Sequence, residues 1–92
     1  MVTFEQARAI IEASLRPHWP AGYGTLTTLP TGRQDDTHWR VTAGAREYLI
    51  DGDDDYDLFD APAYLVSKED GSITRLVVIA NLDRLDSMRP AP

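Results

Sequence analysis

The sequence predicts an α+β domain in which an N-terminal helix packs on an antiparallel meander sheet of four to five strands, in two layers. Two observations predict this class. An amphipathic helical pattern opens the chain, and segments with strand-like alternation, separated by turn residues, follow it. Because 92 residues suffice for one domain, we expect a single domain over residues 1–88 and a disordered tail over residues 89–92.

The composition favours a folded, cytoplasmic protein. Apolar residues make up 42% of the chain and charged residues 26%, which are ordinary values for a globular domain. The absence of cysteine excludes disulfides, thiolate metal sites and cysteine nucleophiles. The longest apolar run, residues 76–80, is far shorter than the roughly 20 residues that a membrane span needs. Residues 1–8 lack the basic and apolar regions of a signal peptide.

The N-terminal segment predicts a helix from Phe4 to Arg16. Thr3 and Gln6 have the spacing of a capping box, in which each side chain accepts a hydrogen bond from the other residue's backbone. Apolar residues then recur at spacings of three and four, on one face of the helix: Phe4, Ala7, Ile11 and Leu15. Pro17 ends the pattern, because a residue that precedes proline avoids the helical region. A helix with one apolar face is expected to lie on a sheet.

The loop His18–Gly24 contains two aromatic residues, Trp19 and Tyr23. Two interpretations of these rings stay open. Either they seal the end of the helix against the sheet, or they form an exposed anchor for a partner.

Three strands are predicted after this loop, at Thr25–Leu29, Thr37–Ala43 and Glu47–Asp51. The residues between the first and second strands, 30–36, have the composition of a polar turn. Gly44-Ala45 is a plausible two-residue turn. We therefore expect the second and third strands to form a hairpin.

The second half of the chain predicts two further strands and a short helix. Ala63–Ser67 and Ile73–Ile79 flank a tight turn at residues 68–71, and Ile73–Ile79 is the most hydrophobic segment. We therefore expect Ile73–Ile79 to be the central strand, covered on both faces. Asn81–Met88 predicts a short helix because apolar residues stand at every third position. Arg89–Pro92 is expected to fray.

An acidic loop over residues 52–60 is the unusual feature of this sequence. Six aspartates lie between Asp51 and Asp60, in a segment without Lys or Arg, and their number equals the net charge of −6. Alternate aspartates resemble an EF-hand calcium loop, but Tyr56 stands where that loop needs glycine and Pro62 where it needs glutamate. Three interpretations stay open: a solvated loop, a weak cation site and a surface complementary to a basic partner. Nucleic-acid binding is disfavoured, since a negative surface repels phosphate.

The sequence carries no recognisable catalytic or cofactor motif. His18 and His38 lack a metal-ligand companion at a local spacing. No nucleophile elbow and no glycine-rich phosphate loop occurs. The aspartates of the acidic loop lack the apolar pocket that a glycosidase-type pair of carboxyl groups needs. We expect no enzymatic activity, no cofactor and no metal site.

Four segments carry a resemblance to a known family. They are EQARAII in the capped helix, THWRV and REYLIDG in the predicted strand pair, and DAPAYLVSKEDGSI in the strand and turn that follow. Together they are similar to the YrhB-like small immunity domains of bacterial polymorphic-toxin systems, over residues 4–79. The resemblance implies an N-terminal helix on a short antiparallel sheet. It also implies a non-enzymatic protein that binds and neutralises a cognate toxin.

We expect the acidic loop to contact a protein partner through six residues: Asp53, Asp54, Asp55, Tyr56, Asp57 and Phe59. Acidic and aromatic side chains together suit the surface of a basic toxin, and the charges accelerate encounter. Two other classes of function stay open. One is a structural or accessory module that forms a homodimer through the edge of its sheet. The other is a cation-dependent regulator, which calcium would stabilise.

Overall fold

The computed structural model describes residues 1–57 and 61–91. Its helices are α1 (Phe4–Leu15), α2 (Arg46–Leu49) and α3 (Leu82–Asp86). Its strands are β1 (Leu26–Thr28), β2 (Gly32–Gln34), β3 (His38–Val41), β4 (Ala43–Ala45), β5 (Ala63–Ser67), β6 (Ile73–Leu76) and β7 (Arg89–Ala91). In this part of the chain, β6-β5-β3-β2-β7 form a five-stranded sheet and β1-β4 a two-stranded one, both antiparallel. The predicted α+β class, with α1 packed on an antiparallel sheet, is confirmed.

Helix α1 begins as the capping box predicts. Thr3 Oγ1 accepts the backbone N–H of Gln6 at 3.1 Å, and Gln6 Oε1 accepts the backbone N–H of Thr3 at 2.9 Å. The helix ends at Leu15, one residue before the predicted end, and Pro17 lies in the 3₁₀ turn that follows. The predicted apolar face packs on the sheet through buried side chains: Phe4, Ala7 and Ile11.

Strand β5 has the predicted bounds and is buried on both faces. Val66 is 0% exposed and packs in the core beneath α1. Leu65 is also 0% exposed and belongs to a second cluster on the opposite face, because successive strand residues point in opposite directions. That cluster contains Leu85 of α3 and Met88 just after it. The predicted C-terminal helix therefore exists in shorter form and covers part of the second face.

The predicted central position of Ile73–Ile79 is wrong. Strand β6 ends at Leu76, and in the described sheet it is an edge strand that pairs with β5 alone. Val77 and Ile79 are 67% and 80% exposed. The apolar run is interrupted because Val78 adopts helical angles, φ −58° and ψ −50°, and caps a 3₁₀ turn. The apolar run over residues 76–80 therefore contains the end of β6 and the beginning of an exposed turn.

The predicted hairpin with a turn at Gly44-Ala45 is also wrong. Both residues lie in β4, where Ala45 pairs with Leu26 of β1. The residues that follow form α2 in place of a strand. The backbone N–H of Arg46 still donates to the carbonyl of Thr25 at 2.8 Å, so α2 begins directly where the pairing of β4 with β1 ends. Arg, Glu and Leu are good helix formers, so the segment REYL is compatible with a helical turn once β4 has paired with β1.

The predicted frayed tail is wrong for Arg89–Ala91, which form β7. The predicted polar turn over residues 30–36 is wrong for Gly32–Gln34, which form β2. These two segments pair with each other as β7 and β2, with Gly32 opposite Ala91. Ala91 is only 7% exposed and belongs to the core beneath α1. Pro90 lacks a backbone N–H, which is tolerated because β7 is an edge strand in the described sheet.

No helix within the described residues is long and apolar enough to cross a membrane.

Candidate functional site

Residues 51–57, here named the acidic segment, follow directly from α2. Gly52 adopts φ +75°, a left-handed conformation that glycine favours, and its N–H donates to the carbonyl of Tyr48 at 3.1 Å. The N–H of Asp53 then donates to the carbonyl of Glu47 at 2.8 Å. Asp53 Oδ1 accepts the N–H of Asp55 at 3.1 Å and caps a 3₁₀ turn over Asp54–Tyr56. The segment is therefore held largely by backbone hydrogen bonds, and Asp51, Asp54 and Asp55 remain exposed.

Four aspartates of the acidic segment are exposed: Asp51, Asp53, Asp54 and Asp55. Among the described residues, none of them forms an ion pair. The ion pairs lie elsewhere, at Glu5–Arg8, Glu12–Arg16, Asp35–Arg84 and Asp36–Arg89. The surface around Asp51, Asp53, Asp54 and Asp55 consequently carries a concentrated negative charge that no side chain of the described residues neutralises in an ion pair.

Gly24, in the loop that follows α1, packs against Tyr56 of the acidic segment. Its carbonyl accepts the indole N–H of Trp19 at 2.8 Å. Its φ is +88°, and a Cβ at this position would lie 2.7 Å from Cδ1 of Tyr56. Tyr56 therefore packs closely over a residue that has no side chain. The backbone N–H of the next residue, Thr25, donates to both carboxylate oxygens of Glu47, at 3.0 and 2.9 Å.

The hydrogen bonds to Glu47 explain the acidity of this group. The backbone N–H of Thr25 stabilises the carboxylate form and, as the largest influence, lowers the pKa of Glu47 below its ordinary value of 4.5. Partial burial acts in the opposite direction but is outweighed. Glu47 thus remains ionised and fastened to Thr25 at neutral pH.

A cleft of about 540 Å³, here named the aromatic cleft, lies next to the acidic segment. Its lining is formed by Leu15, His18, Trp19, Pro20, Tyr23, Asp57, Ala61, Pro62 and Tyr64. The rings of Trp19 and Tyr23 stand nearly perpendicular, at 88°, with their centroids 5.6 Å apart. The half-buried side chain of Asp57 belongs both to this lining and to the acidic segment. The apolar cleft and the charged surface are therefore continuous.

The structure brings most of the six predicted contact residues together but gives them different environments. Asp53, Asp54 and Asp55 are exposed, whereas Tyr56 and Asp57 are half-buried. Phe59, like its neighbours Leu58 and Asp60, lies outside the described residues. The prediction for Phe59 is therefore untested by the structure.

Of the described residues that line the aromatic cleft, Asp57 alone belongs to the predicted site. Trp19 and Tyr23 carry a sequence signal, because two aromatic residues in a short loop suggest an anchor. Tyr64 carries none, since an aromatic residue in a strand is ordinary. The proximity of Tyr64 to Trp19 arises only when β5 passes the end of α1.

The two histidines have separate surroundings. His18 lines the aromatic cleft. His38 stands at the β2–β3 turn, where Asp35 accepts the backbone N–H groups of Thr37 and His38 at 2.9 and 2.7 Å. Burial tends to raise the pKa of Asp35, but these hydrogen bonds outweigh it and hold the pKa below 3.8. These contacts close a turn. Over residues 1–57 and 61–91 no three His, Asp or Glu side chains are grouped so as to hold a metal ion.

Comparison with models of protein families, with curated proteins and with solved structures gives no match for this chain.

Proposed function

We propose that this chain is a non-enzymatic protein-binding domain that receives a basic partner on the acidic segment. The observation that carries the proposal is the group of four exposed aspartates without an ion-pair partner among the described residues. Unpaired charges of one sign on a surface attract a partner of the opposite sign. They act mainly on the rate and the specificity of association.

The charge distribution supports this proposal beyond the local contacts. The net charge of −6 equals the number of aspartates from Asp51 to Asp60, so the charges of the rest of the chain sum to zero and the excess negative charge lies in one stretch. A concentrated charge accelerates the encounter with a basic protein, and salt weakens this attraction at separations beyond the screening length of about 10 Å at 0.1 M ionic strength. A partner that binds here should therefore associate quickly at low salt and slowly at high salt.

The resemblance to YrhB-like immunity domains supports a narrower form of the proposal, in which the basic partner is a cognate toxin. In that form, the acidic segment covers a basic region of the toxin and neutralises it. The domain contributes binding alone, and no chemical step is assigned to any of its residues.

The test compares two triple variants that change the net charge equally. One variant carries Asp53→Asn, Asp54→Asn and Asp55→Asn. The matched control carries Glu69→Gln, Asp83→Asn and Asp86→Asn, three exposed acids that form no ion pair among the described residues. Each immobilised protein is incubated with lysate of the source organism at low and at high salt. A basic protein retained by the wild type and the control, but lost from the acidic-segment variant, is the expected result.

The captured protein is then purified, and its association rate with each variant is measured across ionic strengths. Neutralising the acidic segment should slow association and flatten its salt dependence, by roughly tenfold or more at low salt for strongly steered pairs. Toxicity of the captured protein in a host cell, relieved by co-expression of this chain, would support the toxin form. Equal association rates for both triple variants would contradict the proposal.

A second candidate function, homodimerisation through the sheet edge, is favoured by one observation. Strand β6 is an edge strand of the described sheet, and three apolar side chains beyond its end are strongly exposed: Val77, Ile79 and Leu82. An edge strand offers unpaired backbone groups to a second chain. Light scattering over a range of concentrations tests this candidate. A dimer that Ile79→Asp dissociates would support it, whereas a monomer at all concentrations would exclude it.

A further inference from the structure

We infer that the aromatic cleft binds an arginine side chain of the basic partner. This inference rests on the proposed function and adds the chemistry of the anchor: the acidic segment attracts the partner, and the cleft receives one guanidinium group. The acidic segment contributes Asp57 to the cleft, and the other described lining residues belong to α1, the loop after it, residues 61–62 and β5.

The two rings that line the cleft offer aromatic surface to a cation. Trp19 and Tyr23 pack edge to face, with their planes at 88° and their centroids 5.6 Å apart, and both belong to the lining. The indole N–H of Trp19 already donates to the carbonyl of Gly24, which fixes that ring and leaves it no free donor. Tyr23 is 45% exposed. A cation over the face of Trp or Tyr is attracted by the negative charge of the ring face.

The charges around the cleft select a cationic occupant. Among the described lining residues there is no Lys or Arg, and Asp57 contributes a carboxylate. The other ionisable side chains in that described lining are His18 and the two tyrosines. The exposed aspartates of the acidic segment lie directly before Asp57 in the chain. A basic side chain that enters the cleft thus meets a lining that contains both aromatic rings and a carboxylate.

The size of the cleft suits a basic side chain, and its polarity favours arginine over lysine. Its volume of about 540 Å³ lies within the roughly 300–1,000 Å³ that is usual for sites that bury a small ligand. The lining is mostly apolar, so an occupant must give up water. Guanidinium is planar, stacks on aromatic rings and is more weakly hydrated than ammonium, which makes arginine easier to bury at such a site.

The experiment uses the complete chain and two synthetic peptides of equal length and charge, one alternating arginine with glycine and the other lysine with glycine. A peptide with citrulline in place of arginine serves as the uncharged probe. Binding is followed through the indole N–H resonance of Trp19 in NMR spectra at low salt. The variants are Tyr23→Leu, which removes the ring, and Tyr23→Phe, which keeps it. The control is Ile79→Ala, which truncates an exposed apolar side chain outside the cleft.

The arginine peptide should shift the Trp19 resonance and bind more tightly than the lysine peptide. Tyr23→Leu should lower the affinity for the arginine peptide by about 3- to 10-fold, as expected for the loss of a cation–π contact. Tyr23→Phe and Ile79→Ala should leave its affinity unchanged. The same variants should have little effect on the lysine peptide.

Three results would overturn the inference, and they differ in what they say about the proposed function. Equal affinity for both charged peptides in the wild type and in Tyr23→Leu would remove the cleft as an anchor and leave the acidic segment as the binding surface. Failure of both charged peptides to bind at low salt would contradict the proposed function as well. A Trp19 resonance that moves when the protein alone is diluted would assign the cleft to a second copy of the chain.

Discussion

Gly24 is a residue at which both the backbone and the surroundings require glycine. Its angles, φ +88° and ψ −161°, belong to a region that is essentially restricted to glycine. A Cβ there would also collide with the carboxylate of Glu47 and the ring of Tyr56. We predict that Gly24→Ala lowers the free energy of unfolding by about 1–3 kcal/mol from backbone strain alone, as measured by urea denaturation. Gly22→Ala is the control, since its Cβ would have nothing within 4 Å; equal losses would contradict the assignment.

Glu47 determines part of the acid sensitivity of the fold. Its pKa in the folded state lies below the ordinary value of 4.5, chiefly because the backbone N–H of Thr25 donates to the carboxylate. A depressed pKa stabilises the folded state at a pH above the unfolded value, and this stabilisation is lost as the pH falls through the folded value. We predict that Glu47→Gln is less stable than the wild type at neutral pH and that the difference shrinks below about pH 4.5. Urea denaturation across this range measures the difference. A difference that stays constant with pH would contradict the prediction.

At the scale of elements, residues 89–91 form strand β7 and not a frayed tail. Ala91 is 7% exposed and lies in the core beneath α1, whereas its neighbour Pro90 is exposed. We predict that Ala91→Asp costs about 3 kcal/mol or more of unfolding free energy, because it places a charge in an apolar core. Pro90→Asp should cost much less. Thermal and urea unfolding of the two variants measure this, and small, equal effects would mean that residues 89–91 fray in solution.

At the scale of the whole molecule, the acidic segment opposes folding by repulsion among its own charges. Salt screens such charges over about 10 Å at 0.1 M ionic strength. We predict that added sodium chloride raises the unfolding free energy of the wild type, and that the variant with asparagine at positions 53, 54 and 55 is more stable at low salt and responds less. The control with Glu69→Gln, Asp83→Asn and Asp86→Asn has the same net charge. If both triple variants lose the salt response equally, the effect belongs to net charge and not to the segment.

One part of the candidate site can be predicted from local sequence, and another part depends on residues that are distant in the chain. The acidic segment is visible in the sequence because six aspartates between Asp51 and Asp60 are a matter of composition. The aromatic cleft cannot be recognised from the sequence. Trp19 and Tyr64 are far apart in the chain, and they line one cleft only in the fold in which β5 pairs with β3. The role of Gly24 likewise depends on contacts with Glu47 and Tyr56 that no local pattern encodes.

By itself, the sequence determined the elements whose stabilising interactions are local: α1 with its capping box, strand β5 and the turn after it, and the concentration of negative charge. These follow from periodicity, capping and composition within a few residues. Only the tertiary structure decided that REYL forms α2, that β6 ends at Leu76, and that β2 and β7 pair with each other. The physical reason is that short strands gain little from their own residues. Their backbone hydrogen bonds and buried area come from partners that are distant in the chain. These contacts form only when the whole sheet assembles.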